Sequence, residues 1–382
     1  MLLITYILCL TNTSNSLSLT LVITVSFVFS WSSFYCCSTV GGLSEFLLYL
    51  LWVLSLVFFL TSSLLVLFFS FEISVLPLVS LILLFGYQPE KLSSTLYLLL
   101  YTVIGGVPLF FFVSQHMWAS LSCLHSSSSF LNFLVSLAFF IKSPIYFFHS
   151  WLPKAHTEAP LLGSIILAGV ILKFGGYGIL LLAPSFGSLR FLFLYISLLG
   201  SVVCSVHCLR HWDIKTLVAY SSVVHIGVVS LGALLATEAG WWVSVGIIVS
   251  HSFISPLLFC LCYDLYIVTY RRALVSNRLA SLGSGMCLVA ALLLCINIGT
   301  PPFVSFWVEA SLYIALHSQF SLGTWILFLV SFLVFWFCIR FYLKVFSGSV
   351  SLVCGSPFLP TVYLPGLAFS LLSVFSSPIF RF

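Results

Sequence analysis

The sequence predicts an all-α polytopic membrane protein with about twelve transmembrane helices, and three observations carry that prediction. Of 382 residues, 62% are hydrophobic and 5% charged, with a mean hydropathy of +1.24. The apolar residues form continuous runs about as long as the roughly 20 residues a helix needs to cross a bilayer, without the period-two alternation of a membrane barrel. The loop charges divide unequally between the two faces that these runs define. Thirteen basic and eight acidic side chains cannot cover a soluble protein of 42.4 kDa, because soluble domains are about 25% charged. A soluble enzyme, a nucleic-acid binder, a secreted disulfide scaffold and a disordered chain are excluded.

Taken in order, residues 1–10 are too short to span alone, and with no basic n-region they do not read as a cleaved signal. A first span is expected at 17–31. The run 46–86 is too long for one helix and should divide into 46–66 and 67–86. Spans at 95–115, 130–150, 161–184, 188–209, 215–236 and 241–268 follow. The run 281–316 is again too long, and Gly299, Thr300, Pro301 and Pro302 interrupt it, so it reads as one broken helix. Spans at 322–346 and 358–378 complete the set. With alternate loops on opposite faces, one face collects Lys91, Lys154, Arg210, Lys215, Arg271, Arg272, Arg278, Arg340 and Lys344, and the other only Arg190 and Arg381. The positive-inside rule puts the first group on the cytoplasmic or matrix side.

Once the loop charges are removed, Glu72, Lys142, Lys173, His225, His251 and Glu309 remain in or at the edge of apolar spans. A charge near a helix centre costs about 2.5–3.5 kcal/mol, so such groups pair, face the interior or line a hydrated path. Two of them sit beside helix breakers. Pro144 follows Lys142 in a helix expected to continue to Trp151, and 299–302 precede Glu309. Broken helices bearing ionisable groups in separate halves resemble transporters built from repeats. Ser221 and Ser222 share a helix face with His225, which gives a hydroxyl–imidazole chain able to pass a proton; Ser250 and Ser252 flank His251 in a similar polar step. Cys204, His207, Cys208 and His211 also share one face, but groups in line on one helix do not close a tetrahedron, and no metal site is expected. The chain lacks a dinucleotide fingerprint, a P-loop, an iron–sulfur cysteine set and a GxSxG nucleophile.

Residues 141–178 read IKSPIYFFHSWLPKAHTEAPLLGSIILAGVILKFGGYG. With DIKTLVAYSSVVH at 213–225, GTPPFVSFWVE at 299–309, and FEISVLP and GYQPEKL within 71–92, the chain resembles the family of antiporter-like subunits 4 of mitochondrial NADH:ubiquinone oxidoreductase, respiratory complex I. The multisubunit sodium/proton antiporters share that ancestry and are the alternative. The resemblance implies a proton path over Glu72, Lys142, Lys173, His225, His251 and Glu309. It further implies other membrane-arm subunits as partners, antiporter-like ones among them, in the lipid of the mitochondrial inner membrane with the basic loops on the matrix side. NADH, FMN, iron–sulfur clusters and ubiquinone belong on other subunits, with no cofactor in this chain. The implied division is 1–45 as shortened N-terminal helices, 46–184 and 188–346 as two antiporter-like repeats, and 347–382 as a C-terminal helix. The family usually has fourteen helices, against roughly twelve here. Val308 stands where a glycine often precedes the acid.

Overall fold

The computed structural model describes residues 16–35, 41–116, 120, 129–187, 189–269, 272–274, 284–301, 303–346 and 363–372. Among these, every named element is helical, and eight helical segments are long and apolar enough to cross a membrane, with shorter apolar helices beside them. The chain is a multi-pass membrane protein. It divides into two compact units, Met1–Tyr195 and Ile196–Phe382.

The first unit begins with α1 (Ser16–Tyr35) and α2 (Gly42–Leu60). The long run after residue 46 does divide, but at residues 61–63, a turn ahead of the expected boundary between 66 and 67. The following span is itself split, into α3 (Leu64–Ile73) and α4 (Val75–Phe85), because Pro77 has no N–H to offer the Ile73 carbonyl and its ring crowds that group. Next come α5 (Lys91–Gln115), α6 (Ser129–Lys142), the short α7 (Trp151–Glu158), α8 (Leu161–Ile166), a π turn (Leu167–Ile171) and α9 (Leu172–Leu182). Side chains such as Leu96, Leu100, Val107 and Phe111 leave one face of α5 outward and apolar, as a bilayer requires, whereas the segment 161–185 is almost wholly buried.

Glycines set the closest helix approaches in this unit. A Cβ on Gly105 of α5 would lie 3.2 Å from the Ala138 Cα of α6, and one on Gly175 of α9 would press on the Ser143 amide and the Phe139 carbonyl. One on Gly178 would enter the Phe139 ring. Small residues let helix backbones meet in this way inside a membrane. Gly178→Ala is therefore expected to destabilise the protein by about 1–3 kcal/mol, read as a lower unfolding temperature in detergent. Gly227→Ala, whose Cβ would find only ordinary contacts from 3.4 Å outward, should leave that temperature unchanged.

The helix carrying Lys142 departs from expectation. It does not run through Pro144 to Trp151. Helix α6 ends at Lys142, residues 143–150 are non-helical, and α7 restarts at Trp151. Proline at 144 removes the N–H that the Phe140 carbonyl would have met, and the Ile145 N–H donates there instead at 3.4 Å. The Trp151 indole N–H donates to the freed Ile141 carbonyl at 3.0 Å, and Phe147 takes a positive φ of 83° to turn the chain.

The second unit holds most of α10 (Leu189–Arg210), then α11 (Ile214–Leu234), α12 (Glu238–Thr269), α13 (Ser284–Ile298), α14 (Val304–Gln319), α15 (Ser321–Phe346) and α16 (Leu364–Leu372). Helices α11 and α12 form a tight hairpin. A Cβ on Gly232 would come 2.6 Å from Ser244 Oγ, and Ser244 Oγ bonds the Val229 carbonyl across the pair at 3.1 Å. The run 281–316 is broken as expected, between α13 and α14, with Gly299 at φ +78°. At one end of this unit the loop after α10 pairs with residues 272–274, the Ile214 N–H donating to the Arg272 carbonyl and the Leu274 N–H to the Trp212 carbonyl. Arg340 and Lys344 lie 5.3 and 4.2 Å from the Trp212 ring. Arg210, Lys215, Arg272, Arg340 and Lys344 thus gather there. Arg271, Arg278 and Arg381, and most of the expected span 358–378, lie outside the described residues.

Candidate functional site

Each unit carries three of the six ionisable residues. In the first, Lys142 is buried at the last position of α6, and its ammonium donates to the Phe71 carbonyl at the end of α3. That carbonyl lies beside the α3–α4 break and also accepts from Ser74 Oγ at 2.8 Å. The ammonium stands 3.2 Å from the centre of the Phe71 ring and 6.0 Å from that of Phe174, and aromatic faces attract a desolvated cation. Phe71 and Phe174 belong to one aromatic cluster with Phe58, whose ring stacks on Phe174 at 4.2 Å.

Glu72 follows Phe71 directly, near enough to Lys142 for the two charges to interact. The lysine nevertheless donates to the neighbouring carbonyl, and Glu72 Oε1 is buried with no hydrogen-bond partner. The carboxylate rests against Gly106 of α5, where a Cβ would lie 2.8 Å from Oε1. Lys173 is buried in α9 and donates to the Ala168 carbonyl inside the π turn at 2.5 Å. Such wide turns recur at functional sites.

In the second unit, His225 of α11 and His251 of α12 bring their rings to 5.7 Å between centroids. The expected hydroxyl relay takes a different form. Ser221 and Ser222 donate back to the Val218 and Ala219 carbonyls, as hydroxyls in helices do, whereas His225 Nε2 lies 3.1 Å from Asn297 Oδ1. Pro256 of α12 cannot donate to the Ser252 carbonyl, yet the helix continues through it, and Ser255 Oγ donates to the His251 carbonyl at 2.7 Å.

Glu309, half-buried on α14, packs over Gly299, where a Cβ would stand 3.0 Å from its carboxylate. The positive φ and this close approach together require glycine at 299. Val308, directly before the acid, is fully buried among the core side chains. Two small cavities adjoin Glu309, of about 20 and 10 Å³, each with room for about one water, and His225 and Glu309 line both. The larger also reaches Tyr313 and Ser331, which bond at 2.9 Å; the smaller reaches Ser250, His251, Asn297 and Ser305. Polar groups round a space of this kind are where buried water is held.

Cys204, His207, Cys208 and His211 do not converge. The two thiols are buried, and the two imidazoles stack towards Tyr220, with centroids 5.7 and 4.7 Å away. Burial and the neighbouring His207 lower the pKa of His211, which lies in the loop beyond α10, and Asp213 acts in the opposite sense.

Asn297 and the Phe71 carbonyl escape a reading of the sequence. Asn297 had a signal, as the amide in the otherwise apolar run before Gly299. A backbone carbonyl has none.

The family described as NADH:quinone oxidoreductase/Mrp antiporter, transmembrane, matches residues 61–337. The NADH-ubiquinone oxidoreductase chain 4 of Artemia franciscana is 35% identical over 310 residues, covering 78% of this chain and 79% of that relative. That of Struthio camelus is 36% identical over 271 residues; the match covers 65% of this chain and 58% of the relative's length. Among solved structures, a chain of respiratory complex I from Thermus thermophilus with bound NADH superposes with a TM-score of 0.87 at 22% identity, over 96% of this chain and 82% of that one. A chain of the Mrp complex from a Dietzia species gives 0.84 at 16% identity, over 94% and 80%. At such identities these two likenesses speak for the fold alone.

Proposed function

Because the chain belongs to the NADH:quinone oxidoreductase/Mrp antiporter family, among the NADH-ubiquinone oxidoreductase chains 4, we propose that it is a proton-translocating membrane-arm subunit of respiratory complex I. It moves protons across the mitochondrial inner membrane, driven by electron transfer from NADH to ubiquinone. Other subunits hold FMN, the iron–sulfur clusters and the quinone site, and this chain supplies the H+-translocating part of the reductase. Its partners are further membrane-arm subunits, antiporter-like ones included, and lipid; nucleic acid has no place in this role. The basic end formed by Arg210, Lys215, Arg272, Arg340 and Lys344 faces the matrix.

The observation that carries this reading is that His225 and Glu309, from different helices, line the same two cavities with His251 beside them. Water in that space would let a proton pass between an imidazole and a carboxylate, since His exchanges protons near neutrality. In the first unit, Lys142 holds its proton against the Phe71 carbonyl, one residue from the Glu72 carboxylate. An opposite charge favours the ammonium and burial disfavours it, so moving Glu72 and Lys142 together or apart changes how firmly the proton is held. Lys173 is the next group to take it.

Mitochondrial membranes solubilised in mild detergent and run on a native gel test the assignment, with an NADH dehydrogenase stain and mass spectrometry of the active band. The chain is expected in a very large NADH-active band. Its presence only in a smaller inactive assembly would overturn the assignment and turn attention to sodium/proton exchange.

A further inference from the structure

Asn297 is buried in the last turn of α13, and both ends of its amide are engaged. Nδ2 donates to Cys338 Sγ of α15 at 3.5 Å, and Oδ1 faces His225 Nε2 of α11 at 3.1 Å. An amide oxygen only accepts, so the ring nitrogen opposite it carries a hydrogen. The contact therefore selects one tautomer of neutral His225 and fixes the plane of the ring. Proton uptake by that neutral ring must then use Nδ1.

The other titratable groups around the ring are His251 of α12, at 5.7 Å between centroids, Glu309 and Tyr313 of α14 across the shared cavity, and Cys338 behind the amide. Asn297 stands two residues before Gly299, over which the Glu309 carboxylate packs. The stretch 297–299 thus holds His225 by an amide and Glu309 by the lack of a side chain. Its helix break sets the two ends of the polar space at one spacing.

We propose that Asn297, oriented by Cys338, is a positioning residue that fixes the tautomer and plane of His225 for proton exchange. This rests on the reading of His225 as part of the proton path. Asn297→Asp keeps an acceptor of the same shape and adds a charge that holds His225 protonated to higher pH. Asn297→Leu removes the acceptor, while Cys338→Ala and Cys338→Ser remove and retain the polar group that orients it.

The test uses the intact complex in proteoliposomes, with protons moved per NADH oxidised followed against pH, and His225→Ala as reference. Asn297→Asp is expected to shift the limb of that profile set by His225 upward by about one pH unit. Asn297→Leu should match the loss seen in His225→Ala, Cys338→Ala should lose part of it, and Cys338→Ser should restore wild-type behaviour. Wild-type proton movement and pH dependence in assembled Asn297→Leu overturn the positioning role, since loss of a purely structural amide would alter yield and leave the pH dependence in place. If His225→Ala itself moves protons normally, the proton-path reading of His225 is what fails.

Discussion

Lys142→Met is expected to remove this subunit's contribution to coupled proton movement while leaving the complex assembled. Methionine nearly matches the length of lysine and fills the same space between the Phe71 and Phe174 rings. It also relieves the fold of a buried ammonium, whose insertion costs about 2.5–3.5 kcal/mol. Folding thus gains or holds even, and only proton handling is lost. Proteoliposomes containing the purified complex would show fewer protons moved per NADH, with native gels showing a normal amount of complex. An unchanged proton count in the assembled variant would remove Lys142 from the path. Glu72→Gln is expected to have a smaller effect, because Glu72 acts on the proton of Lys142 and does not hold that proton itself.

Gly299→Val is the second large effect. At φ +78° a β-branched residue is strained by about 1–3 kcal/mol, and its Cβ would arrive 3.0 Å from the Glu309 carboxylate. The carboxylate must then swing away from the position in which it adjoins both cavities. Reduced yield of the complex, and a proton deficit in whatever assembles, are the expected results. Gly285→Val, at a position with open space around it, is the control and should assemble and pump normally. A normal proton count in Gly299→Val would mean that Glu309 tolerates displacement, and that the break matters for assembly alone.

Much of this site was legible because the chain is so apolar. In a sequence with 5% charged residues, a lysine or glutamate inside a span is conspicuous, and Glu72, Lys142, Lys173 and Glu309 stood out by that contrast. The breaks at Pro144 and Gly299 were equally visible, since proline and glycine act on their own backbone. The extent of the first break was hidden. It depends on the Trp151 indole reaching the Ile141 carbonyl, a pairing across ten residues that no periodicity encodes. The amide that faces His225 was hidden for a related reason. Ser221 and Ser222 have the right spacing on α11, but their hydroxyls are satisfied within the helix, and the amide that meets the imidazole comes from a helix 72 residues further on.

The two buried lysines of the first unit end on main-chain oxygens at places where a helix is irregular: Lys142 on Phe71 beside the α3–α4 break, and Lys173 on Ala168 in the π turn. The peptide backbone here serves as an inner solvation shell for an ammonium ion. Every residue type supplies the same carbonyl, so a solvation shell of this kind carries no side-chain signature and tolerates exchange of the residues that provide it. Its weak point is regularity. A change such as Pro77→Ala, which lets α3 and α4 fuse into one smooth helix, would desolvate Lys142 without touching any group that contacts it.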